Sequence, residues 1–339
     1  MKRALKIIGG VAALLIIVFA GLAIYIYSTA LTPSRPVGFQ QIAVADPGHP
    51  AIPAAVWYPT SAKPGFLLLG SSGVMLASDG PVQGDHLPLV VISHGTSATA
   101  LSHADMAIAL AEKGFIVVAL THPGDTFEAA SDVEKWLINR SRHVQRTIDA
   151  ALTAWKDRQH VDPDRIGVFG FSAGATTALI NVGGKPDLKR IWSHCTAHPE
   201  FVCQTTSPQV YRTAGPTAWQ GDSRIRAAVV AAPGLGFTFA PSGLADVKVP
   251  VQLWAGSDDK AVPLATNASL LRNLLGQRAE MQVVPGAVHF SFLAPCGLLG
   301  PSELCQDTQG FDRAAFHQRF NSEVVKFFRT NLGPGNVRS

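Results

Sequence analysis

Charged side chains are scarce in this chain. Asp, Glu, Lys and Arg together make up 15% of its 339 residues, against 47% hydrophobic, so material for a buried core is ample. The net charge is only +4. Apart from Lys2, Arg3 and Lys6 the basic residues are scattered, and no basic stripe with interleaved aromatics occurs, which excludes nucleic acid as a partner. Internal repeats are absent. Cysteine is limited to four residues.

Charge is missing altogether from residues 7–27, a run long enough to cross a bilayer as a helix. Lys2, Arg3 and Lys6 precede it, which predicts a cytoplasmic N-terminus and a body on the periplasmic or extracellular side. The run is longer than the apolar region of a signal peptide, and Tyr25 and Tyr27 suit an interfacial position, so an uncleaved anchor is expected over residues 1–30. The alternative is secretion after cleavage near Ser28-Thr29-Ala30. Residues 31–37, with Pro and Ser, read as a linker.

The cysteines fall as two local pairs, Cys195 with Cys203 and Cys296 with Cys305. In an exported chain that spacing suggests two disulfides. A zinc site remains open as an alternative, because His194 and His198 have H-x3-H spacing beside the first pair, and so do free buried thiols.

From residue 38 the chain reads as one domain, to about residue 332, with a flexible tail at 333–339. Residues 39–44 and 52–58 are strands around the turn-rich Asp46-Pro47-Gly48-His49-Pro50, an antiparallel hairpin. Residues 61–84, rich in Gly, Ser and Pro, read as an irregular excursion. Residues 87–92, 103–113 and 115–120 give strand, helix, strand with short links, the unit of a parallel sheet. A polar segment at 126–141 precedes an amphipathic helix at 142–158. Residues 185–224 interrupt the rhythm and are expected to cap the site. Strands resume at 225–232, 249–254 and 279–284, with helices at 264–275 and 311–330.

The most informative stretch is Ile166-Gly167-Val168-Phe169-Gly170-Phe171-Ser172-Ala173-Gly174. A buried strand turns at once into a helix through Gly-x-Ser-x-Gly, which holds Ser172 on a sharp bend with its hydroxyl pushed out. A serine hydroxyl needs a base to take its proton, and the base needs a carboxylate to fix its tautomer. On a sheet of this kind the order along the chain is Ser, acid, His. Gly256-Ser257-Asp258-Asp259-Lys260-Ala261-Val262-Pro263 follows a strand and offers the acid. Asp259 is favoured, with Asp258 as the alternative. Pro285-Gly286-Ala287-Val288-His289 follows the last strand and offers the base. His94, His103 and His122 precede the serine and fit that order poorly, and His317 falls within the final helix. The oxyanion formed on attack needs two N–H donors: Ala173 in the elbow, and Thr96 in the loop Ser93-His94-Gly95-Thr96, where His94 reads as structural.

These stretches, with Ala55-Val56-Trp57-Tyr58-Pro59, Val91-Ile92-Ser93-His94-Gly95 and Asp162-Pro163-Asp164-Arg165, resemble the α/β-hydrolases. More narrowly they are similar to dienelactone hydrolases and to esterases like platelet-activating-factor acetylhydrolase. The resemblance implies a mainly parallel eight-stranded sheet flanked by helices. It implies hydrolysis of short or modified acyl esters and Ser172, Asp259 and His289 in the triad roles, with no cofactor or metal. Dienelactone hydrolases carry Cys at the nucleophile where this chain has Ser172, which favours a general serine esterase acting on a small-molecule ester. A catalytically silent binding protein on the same scaffold is the competing class.

Overall fold

The computed structural model of the chain describes residues 2–70, 72–126, 128–297 and 300–333. The tail expected at 333–339 therefore lies, after Gly333, outside the described residues. The chain opens with α1 (Lys2–Ser28), of which Lys6–Ser28 is long and apolar enough to cross a bilayer, with a mean hydropathy of 2.8 and none of it buried.

The hairpin β1 (Val37–Val44) and β2 (Ile52–Pro59) follows, in register from Val37 opposite Pro59 to Val44 opposite Ile52. A second hairpin, β3 (Gly65–Leu69) and β4 (Ser72–Ser78), occupies the stretch expected to be irregular. Next come β5 (Leu87–Ser93), α2 (Ala104–Ala111), β6 (Ile116–Leu120), α3 (Val133–Thr153), β7 (Val161–Phe171) and α4 (Ala173–Asn181). The insertion contributes α5 (Lys189–Ala197) and α6 (Phe201–Thr205). The chain then forms β8 (Ile225–Ala231), β9 (Val251–Gly256), α7 (Ala268–Leu275), β10 (Ala279–Val284) and α8 (Arg313–Leu332).

The strands make one sheet in the order β10-β9-β8-β7-β5-β6-β2-β1-β4-β3. The six from β10 to β6 are parallel, and β2 joins β6 antiparallel. The sheet thus has ten strands rather than the eight expected. Eight are those read from the sequence, and β3 and β4 extend the β1 edge. Their pattern escaped notice because glycines and serines interrupt the apolar run, while pairing of β4 with β1 is a tertiary contact.

The parallel strands inside the edge strand β10 are largely apolar because both their faces are covered. Along β5, Val90 and Ile92 face a cluster with Phe169, Phe320 and Phe328, whereas Leu89 and Val91 face one with Ile148, Val168 and Leu179. The first cluster is roofed by α2 and α8, the second by α3, α4 and α7. Helix α3 starts at Val133, nine residues before the start expected. Asp132 caps it by accepting from the N–H of Lys135, and Val133, Trp136, Leu137, Arg140 and Val144 share its buried face. The polar side chains between them masked that periodicity, and the buried position of Arg140 breaks the usual pattern.

In α8 the aromatic stripe packs on the sheet: the Phe320 ring lies 4.8 Å from Trp254, 5.7 Å from Phe292 and 6.1 Å from Phe169. Replacing Phe320 by Ala would leave a cavity between α8 and the sheet. The expected loss is about 3–5 kcal/mol, read as a lower urea midpoint with an unchanged m-value.

Candidate active site

The bend between β7 and α4 requires two glycines. A Cβ on Gly170 would collide with the Gly174 carbonyl, and one on Gly174 would strike the carbonyls of Ser93 and His94. Between them Ser172 has φ +55° and ψ −117°, a strained conformation for a residue with a side chain. It is held there from three sides. Its N–H donates to Ala231 O at 2.9 Å, and its carbonyl accepts from Ala175 at 3.0 Å and Gly234 at 3.1 Å.

The loops after β9 and β10 bring two further side chains to the serine. His289 Nε2 lies 2.9 Å from Ser172 Oγ, and His289 Nδ1 lies 2.7 Å from Asp259 Oδ2. An ionised carboxylate only accepts, so the ring proton belongs on Nδ1 and Nε2 is left to accept from the serine hydroxyl. Asp259 is buried and takes a second hydrogen bond from the Val262 N–H at 2.8 Å. Asp258 points elsewhere: it is exposed and accepts from Ser257 Oγ at 2.7 Å. The acid turn and the histidine turn touch at Gly256, where a Cβ would collide with Ala287.

The histidine turn (His289–Phe292) is itself braced. Ser291 Oγ accepts from the Val288 N–H at 3.0 Å and donates to Asp307 at 2.6 Å, and Asp307 accepts twice from Arg313. His317 donates through both ring nitrogens, to Ser291 O at 2.9 Å and to Asp105 at 2.6 Å. Burial opposes the charge on His317, but Asp105 and these hydrogen bonds hold its pKa above the ordinary value. Burial likewise works to raise Asp105, and the His317 cation brings it down to about 2.

The loop after β5 lies against the elbow. A Cβ on Gly95 would sit 3.3 Å from Ser172 Cβ and 3.0 Å from the Phe171 ring. Among the described residues no acceptor meets the N–H of Ala173 or of Thr96, as befits the first turn of a helix and an open loop. His94 is buried and bonded within this loop: Nδ1 donates to Gly95 O at 2.5 Å and Nε2 accepts from the His122 N–H at 3.0 Å.

A buried ion pair, overlooked in the sequence, pins the same loop. Arg140 Nη1 lies 2.8 Å from Asp125 Oδ1, both side chains almost fully buried. Asp125 also accepts from the Ser97 N–H at 2.9 Å and the Trp136 indole, and Arg140 donates to His94 O and Thr177 Oγ1. The readable signal was an Arg on the apolar face of α3, opposite an Asp just past the end of β6. Beyond them lies a cavity of about 450 Å³ lined by His49, His122, Asp125, Trp136, Arg140 and His143. His122 bonds Ser93 Oγ at 2.9 Å and meets His143 at 3.1 Å.

The insertion packs beside the site. Ile191, Tyr211, Leu235 and Phe237 share an apolar cluster with Ala173. Glu200 accepts from Thr266 and Asn267 in the segment ahead of α7, and the His194 ring stacks on Phe237 at 3.6 Å. Cys195 is bonded to Cys203 and Cys296 to Cys305. The first bond removes both thiolates that a zinc site with His194 and His198 would need. Among the described residues no group of His, Cys, Asp and Glu could hold a metal ion.

With the geometry in hand, residues 73–210 match the model of the dienelactone hydrolase family. The whole fold is similar to a ferulic acid esterase from Streptomyces cinnamoneus, with a TM-score of 0.63 and 18% identity over 91% of this chain and 96% of that one. No curated protein matches the chain. The chain has an α/β-hydrolase-like fold, and its residues 73–210 are similar to the dienelactone hydrolases.

Two outcomes test the buried network. Burial first, then the Arg140 cation, pushes His94 down to about 3; burial, then Arg142, pushes His143 down to about 4; His122 is also lowered, mainly by burial. The unfolded chain therefore takes up protons near pH 6.5 that the folded chain refuses. The stability these three neutral histidines supply is present in full above pH 6.5 and is lost as the pH drops towards 4. His317, raised by Asp105, works in the opposite sense, but three groups outweigh one, and urea midpoints measured between about pH 7 and 4 should fall. Asp125→Ala strands Arg140 as an unpaired buried charge and should cost about 3–5 kcal/mol by the same measurement.

Proposed function

We propose that the protein is a serine hydrolase that cleaves carboxylic esters through an acyl-enzyme. The observation that carries this is the continuous hydrogen-bonded line from Ser172 Oγ through His289 to Asp259, 2.9 and 2.7 Å long. A hydroxyl is not acidic enough to attack a carbonyl at neutral pH, and an imidazole at this distance removes its proton as attack proceeds. Asp259 keeps the Nδ1 tautomer and stabilises the imidazolium that forms.

In the first half-reaction Ser172 Oγ bonds to the ester carbonyl carbon while its proton passes to His289 Nε2. The carbonyl oxygen becomes an oxyanion and accepts from the N–H groups of Ala173 and Thr96, fixed donors of the kind that stabilise developing charge with little reorganisation. The C–O bond to the alcohol breaks, and His289 returns the proton to the leaving oxygen. Water then takes the alcohol's place, loses a proton to His289 and attacks the acyl carbon. Ser172 is released with that proton and the acid departs. No step calls on a metal or cofactor.

A small-molecule ester is the proposed substrate class, with residues 185–224 as a cap that shapes its pocket. The family match and the fold shared with a feruloyl-ester hydrolase support ester chemistry. Helix α1 is proposed to remain as a membrane anchor. Its length and apolar character, the basic residues before it and the two disulfides, which persist in oxidising compartments, support a catalytic domain outside the cytoplasm.

A fluorophosphonate probe is expected to label the protein at Ser172, and Ser172→Ala to abolish both labelling and p-nitrophenyl acetate turnover. Asp259→Asn should lower kcat by roughly three to four orders of magnitude with KM little changed, whereas Asp258→Asn should leave kcat close to wild type. Wild-type turnover in Ser172→Ala would overturn the reading.

A further inference from the structure

Outside α1, single exposed apolar side chains are ordinary, but three of them share one place. Leu31, Phe66 and Leu68 are 43%, 39% and 54% exposed, and they surround the point where α1 meets the sheet. The Tyr27 ring lies 5.6 Å from the Phe66 ring. A Cβ on Gly73 would come within 2.8 Å of both the Ile26 carbonyl and the Phe66 ring.

The connection between helix and sheet, over the linker expected at residues 31–37, is tied to the sheet. Leu31 forms a β-bridge with Val74: its N–H donates to Gly73 O at 2.9 Å, and its carbonyl accepts from Met75 N at 2.9 Å. Three residues on, Glu112 accepts from Ser34 Oγ at 2.8 Å and from the Arg35 N–H at 3.0 Å. The helix thus runs directly into the β3–β4 hairpin, which cannot swing away from whatever surface α1 leaves.

The hairpin's composition fits that surface. Residues 60–78 contain no acidic side chain and a single charge, the exposed Lys63. Strand β3 is the outer edge of the sheet, where water-exposed strands normally carry charges to prevent pairing with other chains. Here Phe66 and Leu68 stand instead, on one face because they are two residues apart.

We propose that the β3–β4 hairpin is a second membrane contact: Phe66 and Leu68, continuous with Tyr27 and Leu31, seat at the boundary of headgroups and acyl chains in the bilayer that α1 crosses. This rests on the reading of α1 as a retained anchor and is independent of the chemistry assigned to Ser172. The seating is shallow, because the free N–H and C=O groups of an edge strand need the hydrated headgroup layer. Lys63 lies next to the hairpin, where it meets anionic headgroups. The docked edge, β3, lies six strand positions from β7, about 29 Å at the usual strand spacing, so the elbow stays clear of the lipid.

The test uses the full chain in vesicles of phosphatidylethanolamine and phosphatidylglycerol, with and without bromine on the acyl chains. Phe66→Trp and Leu68→Trp each add an emitter to the six native Trp, and Val283→Trp, at an exposed site on β10, serves as control. Near-ultraviolet circular dichroism checks that each variant is folded, and intact mass checks that residues 1–30 are present. The emission added at positions 66 and 68 should fall by about half in brominated vesicles, and that added at 283 should not change. Equal behaviour at 66, 68 and 283 in a retained, folded chain overturns the docking. Loss of residues 1–30 overturns it through the anchor. Fluorophosphonate labelling of the same samples reports separately on the hydrolase reading.

Discussion

The tightest constraint in the molecule is the approach of the β7–α4 bend to the loop after β5. Gly174 leaves no room for a Cβ against Ser93 and His94, and Gly95 leaves little against Phe171 and Ser172. This contact puts the first free N–H groups of α4 beside the loop that holds Thr96. A strained φ at Ser172 is tolerated because β8 and the Gly234 N–H lock the bend from the other side. Such strain persists only where the surroundings over-determine it, and here three strands and two glycine contacts do so.

Two polar networks stabilise loops that the apolar core does not reach. On one side Arg140 and Asp125 tie α3, the end of β6 and the loop 93–97 together. On the other, His317, Asp105, Asp307 and Arg313 brace the turn that carries His289. In both, a buried charge is matched by an opposite one and by hydrogen bonds, the condition under which burial of charge is tolerated. The two networks have opposite protonation characters. Around Arg140 burial and positive charge keep His94, His122 and His143 neutral, whereas Asp105 keeps His317 charged. The disulfide Cys296–Cys305 closes the segment just before Asp307, and Arg313 also donates to Leu304 O within it. That cross-link and the histidine turn therefore share one brace.

Local signals carried much of the fold. The strands β5 to β9 were legible because burial on both faces makes each largely a continuous apolar run, and the helices between them because their periodicity is strong. Ser172 was legible from steric demand, and Asp259 and His289 from their places after successive strands. The start of α3 was hidden because Arg140 sits where an apolar residue was expected, and its partner Asp125 lies fifteen positions earlier in another element. The strands β3 and β4 were hidden because Gly and Ser are poor strand formers, and their pairing comes from β1 and from the end of α1.

By itself the sequence determined the alternation of strand and helix, the sharp bend at Ser172 and the apolar span at the N-terminus, since each depends on neighbours within a few positions. Only the tertiary structure decided that His289 meets Asp259 rather than Asp258, that Arg140 is buried against Asp125, and that the segment after α1 is a β-bridge. Those outcomes depend on distances between residues far apart in the chain. Packing of whole elements sets such distances, and no local pattern encodes them.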